Sequence, residues 1–150
     1  MTNEIGAVRA NQRANQRAGR AARVLLGGIL IGAGSGHLSW ARTAFRAQVP
    51  GWVPGDPDAI VLFSGAVEMA LGTALVFRRD RWIGRLVAGF FIAVFPGNIA
   101  QLVGHKDAFG LNSDTQRAAR LLFQPLLVAW ALWSTTAAKS DQTSQRLSLQ

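Results

Sequence analysis

Five polar side chains lie within otherwise apolar stretches of the sequence: His37, Glu68, Asn98, Gln101 and Gln124. An acidic side chain in the middle of a membrane helix costs about 2.5–3.5 kcal/mol on insertion scales, so it normally faces protein or water. Glu68 is therefore expected to be protonated or paired, and it is the first candidate for a ligand-binding residue. The chain has no cysteine, and its His and acidic residues lack the usual ligand spacing. The sequence thus predicts no metal site and no thiol chemistry.

The depth of these five side chains along their predicted helices indicates which of them meet. At 1.5 Å per residue, Asn98 lies about 4.5 Å from the depth of Glu68, and His37 lies about 7.5 Å from it. All five fall in the outer half of the predicted helices or at their middle, which predicts a polar cluster open to the outer side. Two interpretations stay open, a ligand-binding pocket and interhelical hydrogen bonds that fix helix register. No catalytic residue is assigned, and enzymatic activity is left undecided.

Four stretches that are almost free of charge must position these side chains. They separate Arg23 from Arg42, Asp58 from Arg78, Arg85 from Lys106, and Arg120 from Lys139. A helix needs about 17–25 mostly apolar residues to cross the hydrocarbon core of a bilayer. The sequence therefore predicts an all-α, four-helix transmembrane bundle with spans at about 24–41, 59–77, 86–104 and 121–138. The alternative is a soluble four-helix bundle with unusually apolar helices.

Glycine and proline refine these predicted spans. Gly28, Gly32 and Gly36 recur at a spacing of four in the first span, which predicts close approach of a neighbouring helix on that face. Pro50, Pro54 and the residues around them argue against a helix over 45–58, which is expected to form an extended cap at the membrane interface.

Lys and Arg are distributed unevenly between the two predicted ends of the bundle. Eleven of the 16 lie in the N-terminal tail, the middle loop and the C-terminal tail, which share one side of a four-span protein. The excess predicts a multi-pass protein of the cell (plasma or inner) membrane with both termini cytoplasmic. The net charge of +8 then suits an anionic leaflet rather than nucleic acid, because no aromatic side chains accompany the tail arginines.

The predicted domain organisation has three parts. Residues 1–20 form a basic tail that is disordered or lies on the lipid surface, residues 21–138 form the membrane domain, and residues 139–150 form a cytoplasmic tail.

Several short motifs in the membrane domain resemble the DoxX-like family of small four-helix membrane proteins. They are Gly36-His37, the run Val49-Pro50-Gly51-Trp52-Val53-Pro54, Ser64-Gly65-Ala66-Val67-Glu68 with Leu71-Gly72, and Phe95-Pro96-Gly97-Asn98. The resemblance covers roughly residues 20–138. It implies a four-helix membrane fold and, for some members, quinone-linked oxidation or a place in membrane complexes that handle oxidative stress.

Two functions follow as hypotheses. The first is a membrane anchor or subunit that docks a soluble partner on its basic cytoplasmic face. The second is a redox component that binds a quinone or another lipophilic ligand, with Glu68, Asn98 and His37 around the head group. The cofactor is otherwise unidentified, the lipid bilayer is the expected partner, and a homo-oligomer is compatible with either hypothesis.

Overall fold

The computed structural model describes residues 2–108, 110 and 113–136, and this part of the chain contains five helices. They are α1 (Thr2–Leu38), α2 (Arg42–Arg46), α3 (Pro57–Phe77), α4 (Arg81–Val103) and α5 (Asp114–Thr136). The all-helical prediction is confirmed for these residues, and the four long helices overlap the four predicted spans. The predicted tail at 139–150 lies outside the described residues, as does the end of the fourth predicted span.

Three helices are long and apolar enough to cross a membrane. They lie at Gly6–Leu38, Pro57–Phe77 and Arg81–Val103. The described part of α5 is less apolar because Arg120 and Gln124 interrupt one half of it and Ser134 and Thr135 the other. The three apolar helices indicate a membrane protein, whereas the fourth span stays a prediction.

The outside of these helices carries large apolar side chains. Phe63 is 74% exposed on α3, Ile92 is 62% exposed on α4, and Leu122 and Leu126 are 73% and 62% exposed on α5. Polar side chains, in contrast, are buried between the helices, Gln101 with only 1% exposure. This distribution is the reverse of that in a soluble bundle and suits an apolar solvent.

The N-terminal helix is longer than the predicted span. α1 begins at Thr2 and continues without a break through the residues assigned to a separate tail. The structure thus joins residues 2–20 to the first span as one helix, while their location on the lipid surface stays a prediction.

The connection between α1 and α3 is partly helical, contrary to the expectation for residues 45–58. Phe45 and Arg46 complete the short helix α2, and the irregular path begins only at residue 47, ahead of Pro50. α3 then starts at Pro57, with the Asp56 side chain accepting hydrogen bonds from the backbone N–H groups of residues 58 and 59.

α1 and α3 form one antiparallel pair whose backbones touch at glycines. A Cβ atom on Gly27 would lie 2.7 Å from the Gly72 carbonyl oxygen, and one on Gly34 would lie 2.6 Å from the Gly65 carbonyl oxygen. The prediction for Gly28, Gly32 and Gly36 was therefore wrong in its residues. Gly28 and Gly32 have no neighbour within 4 Å of a Cβ position, and Gly36 would make only ordinary contacts.

α4 and α5 form the second antiparallel pair, and the two pairs share an apolar core near one end of the bundle. The core consists of Leu26, Leu30, Leu75, Val87, Ala88, Phe91 and Ala131. These residues come from the first half of the α1 span, the end of α3, the start of α4 and the end of α5. The opposite end of the bundle, where α1 ends and α3 begins, contains a cavity.

Candidate functional site

A cavity of about 400 Å³ lies between the two helix pairs, on the side of the core where α1 ends and α3 begins. Its polar lining residues are His37, Gln48, Ser64, Glu68, Asn98, Arg120 and Gln124. Its walls are mainly apolar and include Phe90, Phe91, Val94, Phe123 and Leu127. An apolar cavity of this volume with a few polar groups has the character of a small-molecule site.

His37 and Glu68 form a buried pair at the polar end of the cavity. His37 Nε2 lies 3.2 Å from Glu68 Oε2, and each side chain is 11% exposed. The other ring nitrogen, Nδ1, lies 3.2 Å from the Val61 carbonyl oxygen and 3.0 Å from Ser64 Oγ. The Phe45 ring of α2 lies against the imidazole, with 3.4 Å between the two ring centroids. One face of the His37 ring and both of its nitrogens are therefore engaged, which holds the Glu68 contact in place.

Asn98 and Gln124 form a second buried pair, which joins α4 to α5. The Asn98 Nδ2 group donates to Gln124 Oε1 at 3.1 Å, and Gln124 Nε2 donates to the Phe91 carbonyl oxygen at 2.5 Å. Pro96 in α4 has no backbone N–H, so the Ile92 carbonyl oxygen, next to that of Phe91, receives no helical hydrogen bond from it.

Gln48 links the segment after α2 to the α4–α5 pair. Its side-chain amide lies 3.1 Å from Gln101 Oε1 and 2.9 Å from Arg120 Nη2, the latter when its carbonyl faces the guanidinium. The Gln48 backbone also rests on α4, because a Cβ atom on Gly97 would lie 3.0 Å from the Gln48 carbonyl oxygen. Glycine at position 97 thus allows the segment to close over one end of the cavity.

The five predicted site residues have different positions relative to the cavity. His37, Glu68, Asn98 and Gln124 line it, whereas Gln101 is buried behind Gln48. The ranking by depth was wrong, because His37 contacts Glu68 and Asn98 pairs with Gln124 instead. A ligand-binding role of these residues stays a prediction.

Sequence reasoning missed Arg120, which lines the cavity and interacts electrostatically with Glu68. The fourth predicted span starts at about residue 121, so Arg120 falls in the predicted loop that precedes it. α5 begins at Asp114, so Arg120 lies within the helix, one turn before Gln124 and on the same face. The spacing of four residues between Arg120 and Gln124 is the sequence signal that indicates a shared helix face.

The arrangement can bind a polar head group and surround an apolar body, and it contains a carboxyl group, an imidazole and a guanidinium. Among residues 2–108, 110 and 113–136, no group of three His, Cys, Asp or Glu side chains is arranged to hold a metal ion. Hydrogen bonding and charge are thus the means of recognition that the described residues offer.

One family model matches the chain. The model, described as Domain of unknown function (DUF8561), matches residues 26–135. This range includes the C-terminal part of α1, all of α3 and α4, α5 except its last residue, and the whole cavity lining. No curated protein and no solved structure matches the chain.

Proposed function

The chain belongs to the DUF8561 family, and we propose that it is a multi-pass membrane protein that binds a lipophilic small molecule with a polar head between its helices. The observation that carries the proposal is the cavity, which has polar groups at one end and apolar walls. A cluster that served only to join helices would fill its own space. Here the polar side chains border about 400 Å³ that the protein leaves open.

A cavity-filling substitution tests this proposal. Val94 lines the cavity, whereas Ile92 on the same helix is 62% exposed on the outside. We expect Val94→Trp to expel the ligand and Ile92→Trp to leave it in place, because only the first indole occupies the cavity. Wild type and both variants are purified in a mild detergent, and the lipophilic molecules that copurify are quantified by mass spectrometry.

The Ile92→Trp variant also controls for annular lipid, which binds the outside of any membrane protein. If a molecule were present at equal stoichiometry in all three samples, it would bind on the outside of the protein, and this would contradict the proposal. Wild type that retains nothing beyond bulk lipid would also contradict the proposal.

A second candidate function is a membrane anchor or subunit for a soluble partner. It is favoured by the exposed arginines around the α3–α4 connection, Arg78, Arg79, Arg81 and Arg85. Charge reversal at the first three should abolish recovery of an acidic partner, and unchanged recovery would contradict this function.

The finer features of both functions remain part of the proposal. They are four spans, both termini cytoplasmic in the plasma or inner membrane, DoxX-like type, and a quinone as one ligand that the apolar walls would suit.

A further inference from the structure

An open groove lies on the outside of the molecule between the second half of α3 and the first turn of α4, at the opposite end of the bundle from the cavity. Its described lining is apolar except at one end and includes Ala70, Thr73, Ala74, Phe77, Arg78 and Ile83. The Thr73 hydroxyl donates to the Met69 carbonyl oxygen of its own helix at 2.7 Å, so it needs no partner in the groove. This α3–α4 groove is thus an apolar surface that ends at a guanidinium.

The groove exists because α3 and α4 have different helix partners. α3 packs mainly against α1 and α4 mainly against α5. A connection of only three residues, 78–80, nevertheless keeps the end of α3 close to the start of α4. Phe77 and Trp82, which flank this connection, are 80% and 63% exposed. In a bilayer, surfaces of this kind face lipid, and a Trp near a helix end suits the level of the head groups.

The end of the groove is positively charged. Arg78, Arg79 and Arg81 are exposed, and with Asp80 between them they give residues 78–81 a net charge of two positive units. Among the ion pairs of residues 2–108, 110 and 113–136, none includes these three arginines.

Arg23 of α1 adds to the positive charge at this end and fixes its geometry. Its buried guanidinium donates to the backbone carbonyl oxygens of Leu75, Val76 and Arg78. The contact therefore uses the Arg78 carbonyl group and not the Arg78 side chain. Arg79 and Arg20 both lie close enough to Arg23 to repel its charge. Guanidinium groups of α1 and of the α3–α4 connection consequently gather beside the groove.

The apolar groove and the charged end together select the kind of occupant. An acidic soluble protein could meet the arginines, but Ala70 lies about 12 Å further along α3, at the depth of the lipid chains. A phospholipid can satisfy both parts, since its acyl chain covers apolar surface while its phosphate binds a guanidinium through two parallel hydrogen bonds. Basic clusters between membrane helices bind anionic head groups in this way.

We propose that the α3–α4 groove binds one anionic phospholipid of the leaflet on the arginine side. The phosphate binds Arg78, with Arg79 and Arg81 around it, and one acyl chain lies along Ala70 and Ala74. This site is separate from the cavity of the proposed function, so each can be tested without the other.

Two phospholipids with the same acyl chains test the head-group contact: anionic phosphatidylglycerol and zwitterionic phosphatidylcholine. Binding to the purified full chain in dodecyl maltoside is measured by native mass spectrometry. We expect phosphatidylglycerol to bind at least about fivefold more tightly, because one basic residue near an anionic lipid contributes about that factor. Arg78→Gln should weaken phosphatidylglycerol about fivefold and leave phosphatidylcholine unchanged. Arg13→Gln, which removes an exposed arginine of α1 distant from the groove, should change neither.

A groove-filling substitution tests the chain contact. Ala70 is exposed and lines the groove, whereas Ile92 is exposed on α4 outside it. We expect Ala70→Trp to weaken both phospholipids by the same factor, so that their ratio is kept, and Ile92→Trp to weaken neither. An excess of sn-glycerol 3-phosphate, which has a phosphate but no acyl chain, should displace neither phospholipid.

Equal binding of the two phospholipids by wild type, or equal effects of Arg78→Gln and Arg13→Gln, would overturn the proposal, and this test does not depend on the folding of Ala70→Trp. Displacement by sn-glycerol 3-phosphate would show a site for free phosphate in which the groove has no part, and would also overturn it. Recovery of an acidic soluble protein by wild type but not by Arg78→Gln, without a phospholipid preference, would assign the arginines to the second candidate function instead.

Discussion

Arg117, near the start of α5 and outside the apolar spans, contacts several partners at once. The Arg117 side chain is 5% exposed, and its guanidinium donates to Asp107, to Asp114 and to the Lys106 carbonyl oxygen. His105 reaches the same Asp114 carboxylate at 2.9 Å. These contacts connect the end of α4 to the start of α5, close to the Arg120 turn that borders the cavity.

The Asp114 carboxyl group gives this connection a pH dependence. Hydrogen bonds from His105 and then from Arg117 lower the pKa of Asp114 below its usual value of 3.8. Since the folded pKa is depressed, the stabilisation is present above about pH 4 and is lost as pH falls through the folded value. We expect wild type to be more stable than Asp114→Asn at pH 7, and the difference to shrink below about pH 4.

Thermal unfolding in detergent between pH 7 and pH 3 measures that difference. Asp80→Asn, which removes an exposed acid that makes no side-chain capping hydrogen bond to α4, controls for the loss of one acidic group. A difference between wild type and Asp114→Asn that stays constant down to pH 3 would contradict the prediction.

At the scale of the helices, the α1–α3 pair depends on two glycine contacts. Gly27→Ala and Gly34→Ala place a methyl group at 2.7 Å and 2.6 Å from backbone oxygens of α3, so we expect each to destabilise the fold by overpacking, about 1–3 kcal/mol. Gly28→Ala and Gly32→Ala meet nothing within 4 Å and should stabilise α1 by up to about 1 kcal/mol. Unfolding of the four variants in parallel measures the contrast, and equal losses at all four sites would contradict this packing.

The same pair shows where sequence reasoning succeeds and where it stops. The lengths of the stretches without charged residues predict the four long helices. The cost of burying a charge in apolar surroundings depends on each segment alone and not on its neighbours, so it can be judged from the sequence. The rotation of a helix about its axis cannot be read in the same way, because each residue turns the helix by about 100°. Gly27 therefore faces α3 and Gly28 faces away from it, although either could begin a row of small residues.

The contacts within the candidate site could not be predicted from the sequence for a similar reason. Depth along a helix can be counted from the sequence, but it does not say which helices are adjacent. His37 meets Glu68 because α1 and α3 form a pair, whereas Asn98 belongs to the α4–α5 pair and meets Gln124. Polar residues within apolar spans were found from composition, and their partners required the fold.

At the scale of the whole molecule, the apolar core and the cavity lie toward opposite ends of the bundle. Leu26, Leu75 and Ala131, each with 0% exposure, close the end that carries the exposed arginines of the α3–α4 connection. The cavity lies toward the end that carries the segment at 47–56 and the start of α5. If the arginine end is cytoplasmic, as the charge distribution predicts, the cavity lies in the outer half of the membrane and a ligand enters from that leaflet.

The orientation can be measured directly because the chain has no cysteine, so a single introduced thiol is the only reactive one. Gly51 has open space at its Cβ position in the segment after α2, and Asp80 is exposed between α3 and α4, so Gly51→Cys and Asp80→Cys should both fold. We expect a membrane-impermeant maleimide to label Gly51→Cys in intact cells and Asp80→Cys only after permeabilisation. The reverse pattern would place the cavity in the cytoplasmic leaflet. Labelling of both variants in intact cells would mean that α3, which joins the two positions, does not cross the membrane.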